Sequence, residues 1–167
     1  FSRLMQGKIF REKEIKIKVK EELEIVQFYL YLQKSRYQAK LSYEVKLEDE
    51  KIGEDLIPRL LIEPLVENAV SHGLEPKREK GNLQVLLYER EMLYIWVKDD
   101  GVGVDQNQMK AEENKEKIPH THVGWENTKK MLRILYGDHY KFQVWSEPGK
   151  GTEIEIAVPI ERGGNYV

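Results

Sequence analysis

The sequence predicts an α+β fold, a two-layer sandwich in which a mixed, mostly antiparallel sheet is covered by helices on one face. Hydrophobic patterns follow one another in the order helix, strand, helix, two strands, long loop, helix, two strands. The later strands come in pairs joined by short turns, with helices between the pairs, which is typical of a sheet with a helical layer. The 167 residues, 40% of them hydrophobic, are enough for one domain with its own core.

Composition excludes several classes of function. Charged residues make up 34% of the chain and nearly cancel, at a formal charge of −2, so we expect no nucleic-acid partner. The absence of cysteine excludes disulfides, thiolate metal sites and cysteine nucleophiles, and fits a reducing compartment. No stretch reaches the roughly 20 apolar residues of a membrane-spanning helix, and no signal peptide is recognisable. Because the chain opens on Phe1 rather than methionine, we expect a piece of a longer protein.

The first helix is predicted over 19–37. Leu23, Val26 and Leu30 fall at helical spacing there, with charged residues on the opposite face. The next segment, 41–48, alternates strictly between apolar and polar residues, which indicates a half-buried strand.

A second helical pattern covers 57–73. Its end at Gly73 is expected because glycine commonly terminates helices. Pro64 lies inside this pattern, so we expect a kink or a helix start nearby. The stretch 81–100 then predicts a hairpin, since two β-rich runs meet at 89–91.

The second half of the chain adds a loop, a helix and two strands. Residues 104–121 are polar and aperiodic, which predicts a long mobile loop. An amphipathic helix is predicted over 123–137, and strands over 140–146 and 152–160 are joined by a turn. We expect the tail, 163–167, to be frayed.

Four polar or glycine-rich segments lie at the ends of these elements, at 67–73, 99–104, 122–127 and 148–152. Asp99, at a strand end, offers a carboxylate to an exocyclic amine, and the following Gly101 and Gly103 allow close approach to a ligand. Gly124, at a helix start, has free backbone amides that favour phosphate. Asn68 carries a neutral oxygen suited to Mg²⁺, which keeps waters and phosphate oxygens as its other ligands.

Each segment also has a purely structural explanation. Asp-Gly-x-Gly is most often a turn, and Pro-Gly-Lys-Gly most often a hairpin loop. Glu67 and Asn68 could lie on a solvent-facing stripe, and His72 could cap a helix end. The combination of all four segments is less easily explained in this way.

These four segments, in this order and spacing, resemble the ATP-binding domain of sensor histidine kinases and their relatives among gyrases, chaperones and mismatch-repair ATPases. LIEPLVENAVSHGL resembles the asparagine box, VKDDGVGV the first glycine box, HVGWENTKKMLRILYG the second and EPGKGTEIEIAVP the third. The match to the LytS-like branch is closer still, because that branch carries Pro-Leu-Val-Glu-Asn-Ala before His-Gly. The helix at 19–37 resembles the linker helix of that branch, so the resemblance covers nearly the whole chain.

The resemblance implies the Bergerat ATP-binding fold, with ATP and Mg²⁺ as its ligands. Asp99 would accept a hydrogen bond from the adenine amino group, supported by Thr152, and Asn68 would hold Mg²⁺ against the phosphates. Glu67 would be the acid–base or water-positioning residue. The other implied ATP-binding residues are His72, Gly101, Gly103, His122, Gly124, Asn127 and Gly151. The loop 104–122 would close over the triphosphate as a lid.

The chain departs from the family pattern at four positions. His122 and Trp125 replace the first glycine and the leucine of the second glycine box, and Met131 replaces the usual arginine. Asp100 stands where the family has asparagine, and would add negative charge near the nucleotide. A weakened or altered ATP site is therefore one alternative.

The resemblance implies that the domain at 41–162 transfers the ATP γ-phosphate to a histidine, for relay to a response regulator. Residues 1–40 would be the end of the phosphoacceptor and dimerisation region with its linker helix, through which a homodimer could form. Residues 1–64 contain no histidine, so we expect the phosphoacceptor further upstream, in the cytoplasmic part of a membrane-anchored sensor. The alternatives are a non-catalytic nucleotide-binding regulatory module, and a related ATPase or protein-serine kinase, which fold alone does not separate.

Overall fold

The computed structural model describes residues 15–105, 107 and 123–163. Its elements are β1 (Lys16–Lys18), α1 (Val19–Tyr37), β2 (Leu41–Leu47), β3 (Leu56–Pro58), α2 (Glu63–Asn68), β4 (Gly81–Glu89), β5 (Leu93–Asp99), α3 (Val123–Tyr136), β6 (Lys141–Glu147) and β7 (Gly151–Val158). Short 3₁₀ helices lie at Gln38–Lys40 and Glu50–Glu54, and α2 continues as a π-helical segment over Ala69–Leu74.

The central sheet has five strands in the order β2-β4-β5-β7-β6. β2 runs parallel to β4, and each of the other neighbouring pairs is antiparallel, which confirms the mixed, mostly antiparallel sheet. In this register Asp99, the last residue of β5, lies directly opposite Thr152 on β7. The sheet therefore joins two of the predicted site residues through backbone pairing alone.

The helices cover one face of this sheet, as predicted. Alternate strand residues are buried together with the inner sides of the three helices in one core, which includes Leu23, Val26, Leu30, Leu65, Val66, Leu83, Val85, Ile95, Val97, Leu132, Ile154 and Ile156. The opposite face carries the intervening strand residues, where Tyr88 stacks on Tyr94 with ring centroids 5.0 Å apart. Since side chains alternate between the faces of a strand, one apolar face is enough to hold the helical layer.

Helix α1 has the predicted bounds and carries two apolar stripes. Its inner stripe is buried against the domain and consists of Val19, Leu23, Val26 and Leu30. A second stripe, here called the outer stripe of α1, is exposed and consists of Ile25, Phe28, Tyr31 and Leu32. Packing onto the domain therefore uses only part of the apolar surface of this helix.

The predicted helix over 57–73 was wrong at its start and one residue short at its end. Residues 56–58 form β3, which pairs antiparallel with β1, and neither short strand was predicted. At the other end Gly73 does not terminate the helix, because the π-helical segment continues through Leu74. Pro64 lies in the first turn of α2, which confirms the expected helix start. A short apolar run is consistent with either a strand or a helix, so hydrophobic periodicity did not distinguish β3 from the helix that follows it.

The other predicted elements agree with the structure to within about two residues, the usual uncertainty of element ends. Most of the predicted lid, 104–122, lies outside the described residues. His122 and the end of the tail, 164–167, lie outside them as well. Among the helices that the structure describes, none is long and apolar enough to cross a membrane.

Candidate functional site

A cavity of about 670 Å³ lies between the α2 region and the ends of the central strands. This is a common size for a site that takes a small ligand or cofactor. Its apolar walls include Leu65, Ala69, Val97, Trp125 and Ile154. Its polar lining includes Asn68, His72, Asp99, Asp105 and Thr152. The segments around 68, 99 and 152, far apart in the sequence, thus meet at one cavity.

Asp99 is the most buried acid of this lining, with 4% of its surface exposed. Its Oδ1 accepts the backbone N–H of Gly101 at 2.9 Å. Burial raises the pKa of Asp99 to about 6, although hydrogen bonds from the backbone N–H groups of Gly101 and Thr152 act in the opposite direction. A carboxylate held in this way is a fixed hydrogen-bond acceptor at the wall of the cavity.

Gly73 is a site residue that the sequence analysis missed. A Cβ atom at this position would lie 2.6 Å from Oδ1 of Asp99, so a larger residue would displace the carboxylate. A Cβ at Gly101 would lie 2.2 Å from the carbonyl oxygen of Gly73, which also accepts the N–H of Val102 at 2.9 Å. The close approach predicted for Gly101 is therefore made to the Gly73 backbone, and Gly101 does not itself line the cavity.

Two further predicted glycines allow the β6–β7 hairpin to pack closely against the end of β5 and the loop that follows it. Gly103 has φ 66, and a Cβ there would lie 2.0 Å from the carbonyl oxygen of Glu147. Gly151 has φ 112, and a Cβ there would lie 2.0 Å from the carbonyl oxygen of Asp99. Both conformations disfavour side chains. Gly103 lines the cavity, whereas Gly151 lies against the backbone of Asp99 and does not line it.

Ser146, on β6, is a second residue that the sequence analysis missed. Its Oγ lies 2.7 Å from Oγ1 of Thr152 and accepts the N–H of Val104 at 2.8 Å. It also donates to the carbonyl oxygen of Gly151 at 3.2 Å. Ser146 is buried, so these contacts orient the Thr152 hydroxyl from the side away from solvent. A serine near a strand end carries no pattern from which this role could be found.

Asn68 is half-buried and lines the cavity. Within the part of the chain that the structure describes, no cluster of three His, Asp or Glu side chains could hold a metal ion alone. Mg²⁺ needs no such cluster, because it commonly keeps waters and takes phosphate oxygens, with only one or two protein ligands. A single carboxamide oxygen beside a cavity that can take phosphates therefore fits Mg²⁺.

The two other predicted site residues of this helical region, Glu67 and His72, differ in position. His72 lines the cavity and is exposed. Glu67 is exposed and does not line the cavity, although it directly precedes Asn68. Burial and, to a smaller extent, the neighbouring Glu67 carboxylate together raise the pKa of Glu63, one helical turn earlier, to about 7. Glu67 thus lies next to a cavity-lining residue in the sequence and has a second carboxyl, that of Glu63, close to it.

Of the second glycine box, Asn127 is not brought into the cavity lining that the structure describes. Asn127 is exposed on α3, and Gly124 is the second residue of the same helix. Trp125 does line the cavity, and Met131 packs on the hydrophobic core. The two departures from the family pattern on this helix therefore serve as apolar surface.

Asp100 does not itself line the cavity, although its negative charge helps to raise the pKa of the neighbouring Asp99. Its carboxylate accepts the backbone and side-chain N–H groups of Asn82, both at 2.7 Å, and lies 3.5 Å from Nζ of Lys77. Burial would raise the pKa of Asp100, but the hydrogen bonds from Asn82 and the charge of Lys77 outweigh it and lower the pKa. Its negative charge is thus compensated mainly by Asn82 and Lys77.

Comparison with known proteins gives one family and several relatives. The sequence model of the family described as "Histidine kinase-, DNA gyrase B-, and HSP90-like ATPase" matches residues 53–162. The chain is 28% identical over 157 residues to the sensor histidine kinase YesM of Bacillus subtilis, covering 93% of this chain and 26% of that protein. It is 32% identical over 162 residues to the sensor histidine kinase YpdA of Escherichia coli, covering 96% of this chain and 28% of that protein. The chain thus spans about a quarter of the length of these relatives.

Solved structures show the same fold. The histidine kinase domain of the Erythrobacter litoralis EL346 blue-light activated histidine kinase aligns with a TM-score of 0.60 at 19% identity, covering 86% of this chain and 62% of that chain. The catalytic domain of histidine kinase ThkA aligns with a TM-score of 0.60 at 13% identity, covering 88% of this chain and 97% of that chain. At these identities the likeness concerns the architecture, and the arrangement of site residues rests on the geometry described above.

Proposed function

The chain belongs to the histidine kinase-, DNA gyrase B- and HSP90-like ATPase family, and from that premise we propose that it is the ATP-binding catalytic domain of a two-component sensor histidine kinase. The observation that carries the proposal is the meeting of Asn68, Asp99 and Thr152 at one cavity. Each lies in a different sequence motif, and together they offer complementary contacts to the two ends of ATP.

The adenine end would lie against Asp99. Its ionised carboxylate accepts hydrogen bonds, which suits the exocyclic amino group of adenine. Thr152, directly opposite on β7 and oriented by Ser146, would support it, directly or through a water. The apolar walls Val97 and Ile154 would remove the faces of the purine ring from water. This half of the site would favour adenine over a base that presents a hydrogen-bond acceptor to the Asp99 carboxylate.

The phosphate end would lie near Asn68 and His72. Asn68 would hold Mg²⁺, which neutralises phosphate charge and so favours transfer of the γ-phosphoryl group. The start of α3 at Gly124 would add backbone amides and a favourable helix dipole. Glu67, exposed beside Asn68, would take the proton of the incoming group or orient it. In such phosphoryl transfer the protein mainly positions groups and stabilises charge.

The acceptor would be a histidine in another part of the full-length protein, and the next acceptor an aspartate of a response regulator. In support, the chain spans only about a quarter of relatives that are named sensor histidine kinases. The full-length protein would be a membrane-anchored sensor with this domain in the cytoplasm, where ATP is supplied. Cell fractionation of the full-length protein tests that placement, and recovery of all of it without membranes would contradict it.

Association of two copies through the outer stripe of α1 belongs to the same proposal. Phe28 and Tyr31 are 64% and 63% exposed, and Ile25 and Leu32 lie on the same side of the helix. Contiguous exposed apolar side chains commonly mark an interface. Sedimentation velocity should show a dimer that Phe28→Ser weakens, whereas Ile134→Ser on α3 leaves it intact. A chain that stays monomeric at every concentration would contradict this proposal.

Phosphotransfer to a separate phosphoacceptor fragment tests the function. With ATP labelled in its γ-phosphate, the chain should label a histidine of that fragment, giving an acid-labile product. Label that survives acid on serine would instead indicate a protein-serine kinase. Binding of Mg-ATP without transfer would support a non-catalytic regulatory module, for which the altered second glycine box is the motivating feature. The Asn68→Ala variant serves as the control that should transfer nothing.

A further inference from the structure

The short connection between β3 and α2 has an unusual backbone. Leu60 adopts φ 59, a conformation that is uncommon for residues other than glycine. Half of its side chain is exposed, so packing of this side chain does not explain the conformation. Such conformations persist where surrounding contacts determine them. The contacts in question are made by the backbone of the next two residues.

Glu22 of α1 receives those contacts. Its Oε1 accepts the N–H of Leu61 at 2.9 Å, and its Oε2 accepts the N–H of Ile62 at 2.8 Å. The Glu22 side chain is fully buried, with 0% exposed. Burial raises its pKa to about 7, while the N–H groups of Ile62, Leu61 and Leu60 lower it. A buried carboxylate in the first turns of one helix thus caps the start of another.

The capped residues lead directly to the cavity. The carbonyl oxygen of Ile62 accepts the N–H groups of Leu65 and Val66 at 3.0 and 3.1 Å, which begins the hydrogen-bond ladder of α2. Leu65 and Asn68 both line the cavity. Since α2 has only six residues before its π-helical continuation, its position depends strongly on how its first turn is held.

The chain that enters the domain is tied to the same connection. β1 pairs with β3, and the carbonyl oxygen of Ile15 accepts the N–H of Arg59 at 2.7 Å. The N–H of Val19, the first residue of α1, donates to the carbonyl oxygen of Asp55 at 2.8 Å. A displacement of the entering strand or of α1 would therefore move both β3 and the capped turn that follows it.

We propose that Glu22 is a positioning residue that couples α1 to α2, so that the place of Asn68 at the phosphate end of the cavity depends on the position of α1. Input from upstream segments of the full-length protein would reach the nucleotide site by this route. The inference rests on the proposed function, because it assigns a regulatory contact to the same site.

A structural role alone makes a different prediction from positioning. If Glu22 only stabilises the fold, its loss lowers the free energy of unfolding but leaves the ligand affinity of the folded fraction unchanged. If Glu22 positions Asn68, its loss weakens binding of Mg-ATP and spares binding of adenosine, which contacts the Asp99 end. Comparing the two ligands therefore separates the two roles.

Calorimetry on the 167-residue chain, well below its unfolding temperature, makes this comparison. Glu22→Ala leaves buried N–H groups unpaired, and we expect Mg-ATP affinity to fall about tenfold with adenosine affinity changed less than about twofold. Glu22→Gln keeps one acceptor oxygen, so its Mg-ATP affinity should fall between those of the wild type and Glu22→Ala. The matched control is Glu24→Ala, which removes an exposed carboxylate of the same helix and should change neither affinity.

Equal Mg-ATP affinities in Glu22→Ala and Glu24→Ala, or equal losses for Mg-ATP and adenosine, would overturn the coupling while leaving the proposed function intact. A wild-type chain that binds neither ligand would overturn the proposed function and the coupling with it. Hydrogen exchange measured on the wild type tests the coupling even if no variant folds. Mg-ATP should slow exchange at the amides of Leu61 and Ile62 more than adenosine does. Equal exchange with the two ligands would likewise contradict the coupling.

Discussion

Asp99, the proposed contact of the adenine amino group, has a pKa raised towards neutral pH. Burial raises its pKa to about 6, so part of the population loses its negative charge when the pH falls below that value. The protonated carboxyl offers a donor where the adenine amino group needs an acceptor. We therefore expect adenosine affinity to fall about tenfold per pH unit once the pH is below 6, as measured by calorimetry between pH 5 and 8.

Adenosine is the right ligand for this measurement because it carries no phosphate that titrates in the same range. The matched variant is Asp99→Asn, whose amide does not titrate, so its weaker binding should not change with pH. An adenosine affinity that is equally flat in the wild type would remove Asp99 from the adenine site.

Asn68 should matter for the other end of the ligand. We expect Asn68→Ala to lower Mg-ATP affinity by at least about tenfold, the loss of one charge-assisted contact, and to leave adenosine affinity unchanged. Titrations of Mg-ATP, ATP with a chelator, and adenosine measure this. Unchanged affinity for Mg-ATP would remove the metal assignment.

Whether a single residue could be predicted from the sequence depended on the kind of role it has in the structure. Asn68, Asp99 and Thr152 were predicted because polar residues at element ends signal chemistry and the motifs were familiar. Gly73 and Ser146 were missed because their roles are contacts with remote segments, which no local pattern encodes. Glu22 was missed as well, since in the sequence it lies within a dense run of charges.

At the scale of elements, the contact between the π-helical segment and the loop after β5 holds the site together. A Cβ at Gly101 would lie 2.2 Å from the backbone of Gly73, so Gly101→Ala must push these two backbones apart. We expect the free energy of unfolding to fall by about 3 kcal/mol, in line with overpacked sites. Adenosine affinity should fall as well, because Asp99 lies against Gly73. Urea unfolding and calorimetry measure the two effects.

Gly137→Ala is the matched control for this contact. Gly137 has φ 62, but a Cβ there would meet nothing within 4 Å. We expect a cost of about 1 kcal/mol from the backbone conformation alone, with adenosine affinity unchanged. Should both variants lose stability equally while both bind adenosine normally, the contact would have no special role in the site.

Element prediction succeeded where hydrophobic periodicity was long and failed where it was short. The 19-residue α1 and the β4–β5 hairpin carry several repeats of their pattern. β1 and β3 have three residues each, and among the described strands they pair with one another alone. Their pairing depends on where the rest of the fold brings them, which local sequence does not specify. The position of Gly73 inside a π-helical segment likewise depends on its tertiary contacts.

At the scale of the whole molecule, buried carboxyls make stability depend on pH. Burial raises the pKa of Glu22 to about 7 and that of Asp99 to about 6, both above the values in an unfolded chain. The folded state therefore holds protons that the unfolded state has lost, and stability falls as the pH rises through this window. We expect the free energy of unfolding to drop by on the order of 3 kcal/mol between pH 5 and 8.

Urea unfolding at several pH values measures this dependence. Glu22→Gln removes one of the carboxyls with a raised pKa and should flatten the curve, chiefly between the ordinary value of 4.5 and the raised pKa of about 7. Glu54 acts in a different window, because hydrogen bonds from Lys18 and Lys20 lower its pKa to about 2, so the stability it adds is lost only in acid. Stability that rises from pH 5 to 8 would contradict the raised pKa values.

The placement of the three tryptophans gives the protein an optical reporter of its own. Trp125 lines the cavity and is only 8% exposed, whereas Trp96 and Trp145 lie across from Glu155 and Glu153, on the sheet face away from the helices. A purine that enters the cavity would displace water from one indole and leave the other two as they were. Fluorescence emission could then follow occupancy in real time without any attached dye, and Trp125→Phe would silence that signal while the other two indoles still emit.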